Sequence, residues 1–546
     1  MIRFRSTILV LVVCFSAFAL TGCRQSEKKG NQISADSLKR KAIKEWNKTI
    51  PGSFNSEKDL FFDTTQIESF VKAYPLLEKY AGSIRKFYSG RQHAYAWYNK
   101  NGLIEQAGNL ADRVKNLEKE GINKEIPYRV TFDSLLYART SKKPDIKLEL
   151  MLTAQYFAFA QLVWQGADAS VSKASEWYLP RKKVSYEQFL DSMIKSPSKF
   201  TATQAPPVYR QYDLLKGFLV KYRELDRLDH WPRIIADQKS YRPGDSSQII
   251  IQIKKRLFEL ADLKGDTSSI YYDEELLKAM KSFQSRHGMS ADGVIGIGTI
   301  NELNVPLKTR IRQIMVNMER SRWLPVQLNS DYLAVNIPEF KLHVYQKDSL
   351  QWSGNVVVGQ SVHKTVIFSG DMKYIVFSPY WNVPPSIVRN EILPAMRKNR
   401  GYINQHRMEI TGYSEGLPTV RQKPGPGNSL GQVKFLFPNS YNIYLHDTPS
   451  KSLFGENERA FSHGCIRVQD PAKLAAFLLR NDPSWNDQKI SAAMNSGKEK
   501  YITLKDKVPV FIAYFTAFTD RENRLNFRKD IYNRDEVLAN MLLNGE

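Results

Sequence analysis

Apolar residues in the first half of the chain recur at the three- and four-residue spacing of amphipathic helices. The first such set is Ile67, Phe70, Val71 and Tyr74. Residues 148–164 are apolar on almost every side, but Glu149 interrupts them, and a charge in the bilayer core is costly. The pattern therefore predicts a buried core helix rather than a membrane span, within a helical region that extends from residue 56 to residue 239.

A second, shorter unit follows at residues 240–306. Its apolar positions predict two helices and, after a turn at residues 292–296, a further apolar segment. These positions are Ile249, Ile250, Ile253, Leu257 and Leu260, then Leu276, Leu277, Met280 and Phe283, then Thr299, Ile300 and Leu303. A helix near residues 311–322 is predicted to connect this unit to the rest of the chain.

After that helix the apolar period changes to two, which is typical of β-strands. Strands are predicted over residues 332–337, 340–345, 352–358, 374–378, 443–446 and 508–515, with a helix at 474–479. The intervening residues 385–425 are rich in Pro and Gly and carry seven Lys or Arg against three Glu. That segment is too long for an ordinary connection, so it predicts a lid or a binding loop. The whole pattern predicts a multidomain α+β chain.

Composition limits the class of protein. Of 546 residues, 42% are apolar and 25% are charged, which excludes a disordered chain, a collagen and a polytopic membrane protein. The formal net charge of +23 favours an anionic partner, and nucleic acid, a lipid surface and an acidic polymer such as cell wall all satisfy it. Three cysteines are too few for a disulfide scaffold.

The N-terminus predicts export. Arg3 and Arg5 precede a short apolar run at residues 8–20, as in a secretory signal peptide. The run ends in Leu-Thr-Gly before Cys23, which resembles a bacterial lipoprotein signal, so residues 1–22 are expected to be removed and Cys23 to be lipidated. Such a compartment holds no genome, which argues against nucleic acid. Removal of residues 1–22 and lipidation of Cys23 would also leave Cys465 without an intramolecular disulfide partner.

The sequence Ser462-His463-Gly464-Cys465-Ile466-Arg467 contains the most informative chemistry. A cysteine nucleophile reacts as a thiolate and needs a base or a cation nearby, which His463, Arg467 or the more distant His446 can supply. Zinc requires three or four protein ligands, and the absence of a second nearby cysteine argues against a metal site. These residues alone leave both a catalytic and an inert cysteine open.

The spacing of these residues resembles the signature of the L,D-transpeptidase catalytic domain, the YkuD domain. In that signature a histidine is followed, after about fifteen residues, by Ser-His-Gly-Cys and by an arginine two positions later. Neighbouring segments resemble the large YcbB-type members. They are 358–359, 381–387, 392–394, 424–431, 444–449, 514–517 and 530–532. Residues 240–306 resemble a three-helix peptidoglycan-binding domain, and segments that include Tyr88 and Trp97 resemble the helical scaffold domain, where both rings are expected in the core.

This resemblance gives an expected division of the chain. Its parts are a lipoprotein signal peptide (1–22), a tether (23–55), a scaffold domain (56–239), a peptidoglycan-binding domain (240–306), a connecting helix (307–327), a catalytic domain (328–520) with a capping loop (385–425), and a C-terminal segment (521–546). The basic capping loop is expected to close over an acidic peptide.

The resemblance also implies a reaction on peptidoglycan stem peptides. Cys465 would attack the carbonyl before a terminal D-Ala, and His446 would act as the base. The resulting thioester would pass to the amine of a second stem and form a 3→3 crosslink. The N–H groups of Cys465 and Gly464 would hold the oxyanion. No cofactor and no metal are expected.

Other residues receive supporting roles from the same resemblance. Asp447 would orient His446 through its backbone carbonyl or its side chain. Arg467 would bind a substrate carboxylate or brace the loop. Tyr444 is expected to line the pocket, and the substrate-binding set also includes His463 and Ser462, with His463 in support rather than in proton transfer.

Two alternatives remain open at this point. One is an L,D-carboxypeptidase or endopeptidase of the same fold, and the other is a catalytically inactive lipoprotein that tethers the wall. In each case the expected location is the periplasmic side of the cell envelope. Arg24 after the lipid cysteine favours the outer membrane. The expected partners are stem peptides, the membrane through the lipid, and other wall-synthesis proteins where present. A monomer and acylation by carbapenems are also expected.

Overall fold

The computed structural model describes residues 60–138, 142–195, 207–228, 231–325 and 330–543. The predicted signal peptide, Cys23 and the predicted tether lie outside these residues. The first helical region contains eight α-helices among the described residues. They are Thr65–Ala73, Ala81–Gly90, Glu105–Lys115, Arg129–Tyr137, Ile146–Phe159, Ala169–Ala174, Tyr186–Lys195 and Gln211–Arg227.

The predicted core helix is confirmed as Ile146–Phe159, which continues as a π-helical turn, Ala160–Gln165. Asp145 caps its N-terminus by accepting the N–H groups of Lys147 and Leu148. The buried Glu149 carboxylate accepts hydrogen bonds from the backbone of Ala96 and Trp97 and from the Tyr88 hydroxyl. Tyr88 and Trp97 are fully buried, as predicted. Among the described residues, no helix is both long and apolar enough to span a membrane.

The short unit that follows contains three α-helices, Gln248–Glu259, Glu274–Arg286 and Ile297–Leu303. Their apolar faces close over a separate small core. Asp292 is a turn residue, since its carboxylate accepts the Val294 N–H and a hydrogen bond from the Gln284 amide.

The last region is built on a nine-stranded sheet. Its strands in chain order are β1 (Tyr332–Asn336), β2 (Lys341–Gln346), β3 (Ser349–Gly359), β4 (Phe368–Phe377), β5 (Val433–Leu436), β6 (Leu445–His446), β7 (Ala460–Ser462), β8 (Ile466–Val468) and β9 (Lys500–Ala513). All six predicted strand segments are present, although the segment predicted at 443–446 is reduced to β6. Two α-helices of this region, Pro471–Leu479 and Asp487–Met494, contribute apolar residues to the core of the sheet.

The order of the strands in the sheet determines where the predicted site residues lie. The sheet runs β7-β3-β8-β6-β5-β4-β9-β1-β2, and β2 also pairs with β3, so eight strands close on themselves. The two short strands β6 and β8 are parallel neighbours inside this sheet, with Leu445 opposite Ile466 and His446 opposite Arg467. Leu445 and Ile466 are fully buried on the core side. The residues on either side of them therefore face away from the core.

The expectation of a long capping loop at residues 385–425 is wrong in one respect, because the segment is a folded insertion. It contains short helices, Pro385–Ile387, Val388–Ile392, Leu393–Lys398 and Tyr402–Gln405, and a hairpin of Met408–Ser414 with Leu417–Gln422. A small core, which includes Val388 and Val420, holds it together. Pro385 and Pro394 occupy first-turn positions of helices, where proline is tolerated, so the proline content does not indicate a loop.

The helix Leu307–Trp323 and the C-terminal segment join the parts. The helix supplies Met318 to the core of the first helical region and Trp323 to the core of the sheet. The hairpin Ala517–Thr519 with Leu525–Phe527 also packs into the first core, and the helix Arg534–Leu543 packs against the second. Residues 517–543 thus contribute to the packing of both the first helical region and the sheet region.

Candidate active site

Four predicted site residues lie on one face of the sheet, where β6 and β8 run side by side. Parallel pairing aligns His446 with Arg467, and one residue before each strand Tyr444 hydrogen-bonds the Cys465 thiol. The Ile466 N–H donates to the Tyr444 carbonyl, which holds this register. Because side chains alternate along a strand, the phenol, imidazole, thiol and guanidinium all project from the same side. The Tyr444 and His446 rings lie 5.7 Å apart between centroids.

His446 is oriented by the backbone. Its Nδ1 lies 2.5 Å from the Asp447 carbonyl oxygen, which can only accept, so Nδ1 carries the hydrogen and Nε2 has a free lone pair. The Asp447 side chain lies elsewhere, since its carboxylate accepts the Gln432 N–H and pairs with Lys451. The sequence left open whether the backbone carbonyl or the side chain of Asp447 orients His446, and the structure shows the contact with the carbonyl.

The electrostatics of the cluster favour the neutral forms of the thiol and the imidazole. Burial, together with the nearby charge of Arg467, lowers the pKa of His446 to about 4, against the opposing effect of the hydrogen bond to Asp447. Burial raises the pKa of the Cys465 thiol, although hydrogen bonds from Tyr444 and the charge of Arg467 act against this. The free Cys465 thiol donates to the Asn442 carbonyl oxygen at 3.7 Å. A neutral imidazole beside a neutral thiol can serve as a general base.

The loop before Cys465 is held by its own hydrogen bonds. The Ser462 hydroxyl donates to the Cys465 carbonyl oxygen at 2.5 Å and accepts the Gly464 N–H at 3.1 Å. Gly464 has φ +111°, a conformation that side-chain-bearing residues rarely adopt. Because the Gly464 N–H already donates to the Ser462 hydroxyl, it is not free to hold an oxyanion, contrary to the expectation. Within the described residues the Cys465 N–H makes no hydrogen bond, so it is the donor that remains.

Two residues for which the sequence predicted no role, Thr365 and Tyr532, hold this loop through hydrogen bonds. The Thr365 hydroxyl donates to the Gly464 carbonyl and accepts the Gly359 N–H, both at 2.9 Å. The Tyr532 hydroxyl accepts the Thr365 N–H and donates to the Gly359 carbonyl. Both residues are buried. They lie far from Cys465 in sequence, and no local pattern indicates the contact.

His463 points away from the cluster and contacts the folded insertion. Its Nε2 lies 2.8 Å from the Glu391 carboxylate, and its ring lies 5.1 Å from that of His363. The side chain is 41% exposed. This position agrees with a supporting role. The predicted binding roles of His463 and of the buried Ser462 stay predictions.

Arg467 is half-buried and has no acidic partner within the described residues. Its Nε is buried without a hydrogen-bond partner. Burial lowers its pKa, which the nearby Cys465 opposes. A guanidinium without a carboxylate partner beside a thiol is suited to bind a carboxylate from outside.

Three family models match the chain. The L,D-transpeptidase catalytic domain, YkuD, matches residues 330–508. The Scaffold domain matches residues 82–219, and a "Putative peptidoglycan binding domain" matches residues 246–303.

A curated relative, "Putative L,D-transpeptidase" from Haemophilus influenzae, is 31% identical over 258 residues, which are 44% of this chain and 51% of that protein. The chain thus spans about half the length of this relative. Two crystal structures are also similar. An L,D-transpeptidase from Xylanimonas cellulosilytica is 13% identical, with TM-score 0.18, over 51% of this chain and all of that one. One from Stackebrandtia nassauensis is 15% identical, with TM-score 0.22, over 51% and 97%. Residues 330–508 thus match the model of the L,D-transpeptidase catalytic domain, YkuD, and the same chain also contains matches to a Scaffold domain and to a peptidoglycan-binding domain.

Proposed function

We propose that the protein is a cysteine-dependent peptidoglycan L,D-transpeptidase that forms 3→3 crosslinks between stem peptides. One observation supports this most strongly. Cys465 and His446 share a sheet face, and the Asp447 carbonyl fixes the imidazole so that Nε2 is the free nitrogen. That is the arrangement a thiol nucleophile and its base require.

In the first step of the proposed reaction, His446 Nε2 takes the thiol proton as the Cys465 sulfur attacks the carbonyl before the terminal D-Ala. The Cys465 N–H donates to the developing oxyanion. His446 then returns the proton to the departing D-Ala amine, and a thioester remains. The amine of a second stem attacks the thioester, His446 takes its proton, and Cys465 is released as the thiol.

The surrounding charges support a peptide substrate. Arg467 has no acidic partner among the described residues and can bind a stem carboxylate. The folded insertion contacts the nucleophile loop, residues 462–465, through Glu391 and His463. This contact supports a role of the insertion in covering the bound peptide and limiting water. Limited access of water would favour an amine acceptor over hydrolysis.

We propose further that Cys23 carries the lipid, that the protein is anchored to the envelope on its periplasmic side, with the outer membrane favoured by Arg24, and that carbapenems acylate Cys465. The support for the anchor is the sequence at residues 20–23 after a short apolar run. The support for acylation is the accessible thiol in a site arranged for acyl transfer.

The test is incubation of the purified chain with disaccharide-tetrapeptide, beside Cys465→Ala as the matched control, with products identified by mass spectrometry. We expect a crosslinked dimer that lacks one D-Ala, and no dimer from Cys465→Ala. Tripeptide without dimer would replace the transpeptidase by an L,D-carboxypeptidase. The absence of any Cys465-dependent product, from a variant pair with equal melting temperatures, would favour an inactive wall-tethering protein.

A further inference from the structure

A small cavity of about 240 Å³ lies in the first helical region, and no residue of the cysteine site lines it. Pockets for drug-sized molecules are larger, at about 300–1,000 Å³, so this cavity suits a small ligand or one chemical group of a larger ligand. Its lining contains four cations, Arg181, Lys182, Lys183 and Arg322, and within the described residues one carboxylate, Glu187. This imbalance of charge indicates an anionic ligand.

The carboxylate of the lining is already held by neighbouring side chains. Glu187 Oε1 accepts the Ser83 hydroxyl at 3.1 Å, and Oε2 accepts the Ser185 hydroxyl at 2.8 Å. The same carboxylate lies 3.6 Å from Lys86 Nζ, outside the cavity. The charge of Glu187 is therefore matched without any cation of the lining.

Arg322 is the one cation of the lining whose charge is matched inside the protein. Its Nη1 lies 2.6 Å from the Glu319 carboxylate, and the two side chains are 1% and 3% exposed. Its Nε and Nη2 donate to the carbonyl oxygens of Val163 and Glu120. Arg322 is thus a fixed part of the cavity wall with no donor to spare for a second anion.

The three consecutive cations at residues 181–183 form no ion pair with any described residue, and Arg181 among them has an unused donor. Its Nη2 donates to the Gln165 carbonyl oxygen at 2.9 Å, while its Nη1 is buried and has no hydrogen-bond partner. The guanidinium lies 5.4 Å from the centroid of the Trp323 ring, a contact that holds it in place. A buried N–H of a charged group is costly when it lacks an acceptor, so the geometry favours an acceptor on a bound molecule.

Lys182 lies close to other cations. Its Nζ donates to the Pro207 carbonyl oxygen, which carries no net charge. Burial, followed by the charges of Arg322 and Arg181, lowers the pKa of Lys182 to about 7. Glu319 acts in the opposite direction and does not outweigh them. A bound anion would offset this repulsion.

The charges that act on the cavity leave two positive charges in excess when Lys182 is protonated. Two carboxylates outside the lining also act on Arg181, and Lys86 adds a cation through its contact with Glu187. The full set is five cations and three carboxylates, namely Arg181, Lys182, Lys183, Arg322 and Lys86, and Glu187, Glu319 and Asp168. A carboxylate ligand would neutralise one of the two excess charges, whereas a phosphate group, which carries nearly two negative charges at neutral pH, would neutralise both.

We propose that this cavity is a binding site for a phosphate group, with Arg181 Nη1 as a hydrogen-bond donor and the ammonium groups of Lys182 and Lys183 as counter-charges. The site goes beyond the proposed reaction, because it lies outside the cysteine site. Its ligand is either free phosphate or the phosphomonoester end of a larger molecule, which share this chemistry. The backbone N–H of Lys182 donates to the Trp323 carbonyl oxygen, so a ligand held at residues 181–183 stabilises the junction with the helix Leu307–Trp323.

The test is calorimetric titration of the full chain with inorganic phosphate at pH 7.5 and constant ionic strength. Arg181→Gln should weaken phosphate binding at least about tenfold, as expected for loss of a charge-assisted hydrogen bond. Lys183→Gln removes an exposed charge of the lining and should weaken it about threefold. Lys173→Gln removes an exposed lysine outside the lining and should change nothing. Saturating phosphate should raise the melting temperature of the unsubstituted chain and not that of Arg181→Gln.

Equal phosphate affinity of Arg181→Gln, Lys183→Gln and Lys173→Gln would overturn the site. Because Lys183 is exposed, Lys183→Gln keeps the test valid if Arg181→Gln melts early. Binding of acetate as tight as that of phosphate would overturn the phosphate group as ligand. Titration with glycerol 3-phosphate separates the two sources. Tighter Arg181-dependent binding of glycerol 3-phosphate than of phosphate would support the phosphomonoester, and the reverse order would support free phosphate.

Discussion

Replacing Arg467 by Gln should raise the pKa of His446, which burial and the Arg467 charge hold at about 4. The two residues are paired across β6 and β8 and project from the same face. A cation beside the imidazole disfavours a second positive charge, so its removal stabilises the protonated ring. The sign of the expected shift is therefore upward.

The magnitude follows from the pairing geometry. For charged ends about 6 Å apart and an effective dielectric constant of about 20, Coulomb's law gives about 3 kcal/mol, or about two pKa units. Solvent reaches the half-buried Arg467 and screens roughly half of this, which leaves about one unit. A pKa that moves from about 4 to about 5 lowers the neutral fraction of His446 at pH 5 from about nine-tenths to about one-half.

The assay is the NMR titration of the His446 ring protons between pH 3 and 8 in a Cys465→Ala background. The Arg467 charge also lowers the pKa of the Cys465 thiol, and this background removes that second titration. The midpoint should move up by about one pH unit in Arg467→Gln and stay in place in Arg467→Lys. A midpoint that is unchanged, or lower, in Arg467→Gln would refute the proposed coupling of these two charges.

Two further predictions concern the nucleophile loop and the buried carboxylate. Gly464→Ala forces a side chain into φ +111° at a cost of about 1–3 kcal/mol, although its Cβ would meet no atom closer than 3.8 Å. Acylation by tetrapeptide should fall at least about tenfold while iodoacetamide still alkylates Cys465, and unimpaired acylation would contradict the role given to the turn. Burial raises the pKa of Glu149 to about 7 from an ordinary 4.5, so its contribution to stability should be lost as the pH rises from about 4.5 to about 7. Calorimetric melting temperatures at pH 5 and 8 should differ less in Glu149→Gln, and an equal difference would exclude Glu149 as the titrating group.

The sequence predicted that Cys465 and His446 lie together because its evidence for this is local. Alternation along one short strand places Tyr444 and His446 on one face, and the spacing of the Ser462–Arg467 motif matches a known signature. The core helix was equally predictable, since an apolar run interrupted by polar residues has few other stable locations.

The remaining features depend on contacts that no local pattern shows. Thr365 reaches Gly464 across 99 residues, and Tyr532 reaches Gly359 across 173. The bond between Ser462 and Gly464 that removes an expected oxyanion donor depends on the loop's conformation rather than its composition. In the insertion at residues 385–425, proline content is compatible with both a loop and the first turn of a helix, and only the packing around Val388 and Val420 decides between them.

The packing of the C-terminal hairpin has a consequence for the order of folding. Leu525 and Phe527 belong to the core of the first helical region, and Gln211 hydrogen-bonds the backbone of Thr519 across 308 residues. The first helical region therefore cannot complete its core until residues 517–527 have been synthesised. Such non-local closure slows folding and prolongs exposure of apolar surface. The first helical region must therefore remain incompletely packed until the hairpin that follows the nine-stranded sheet has been synthesised.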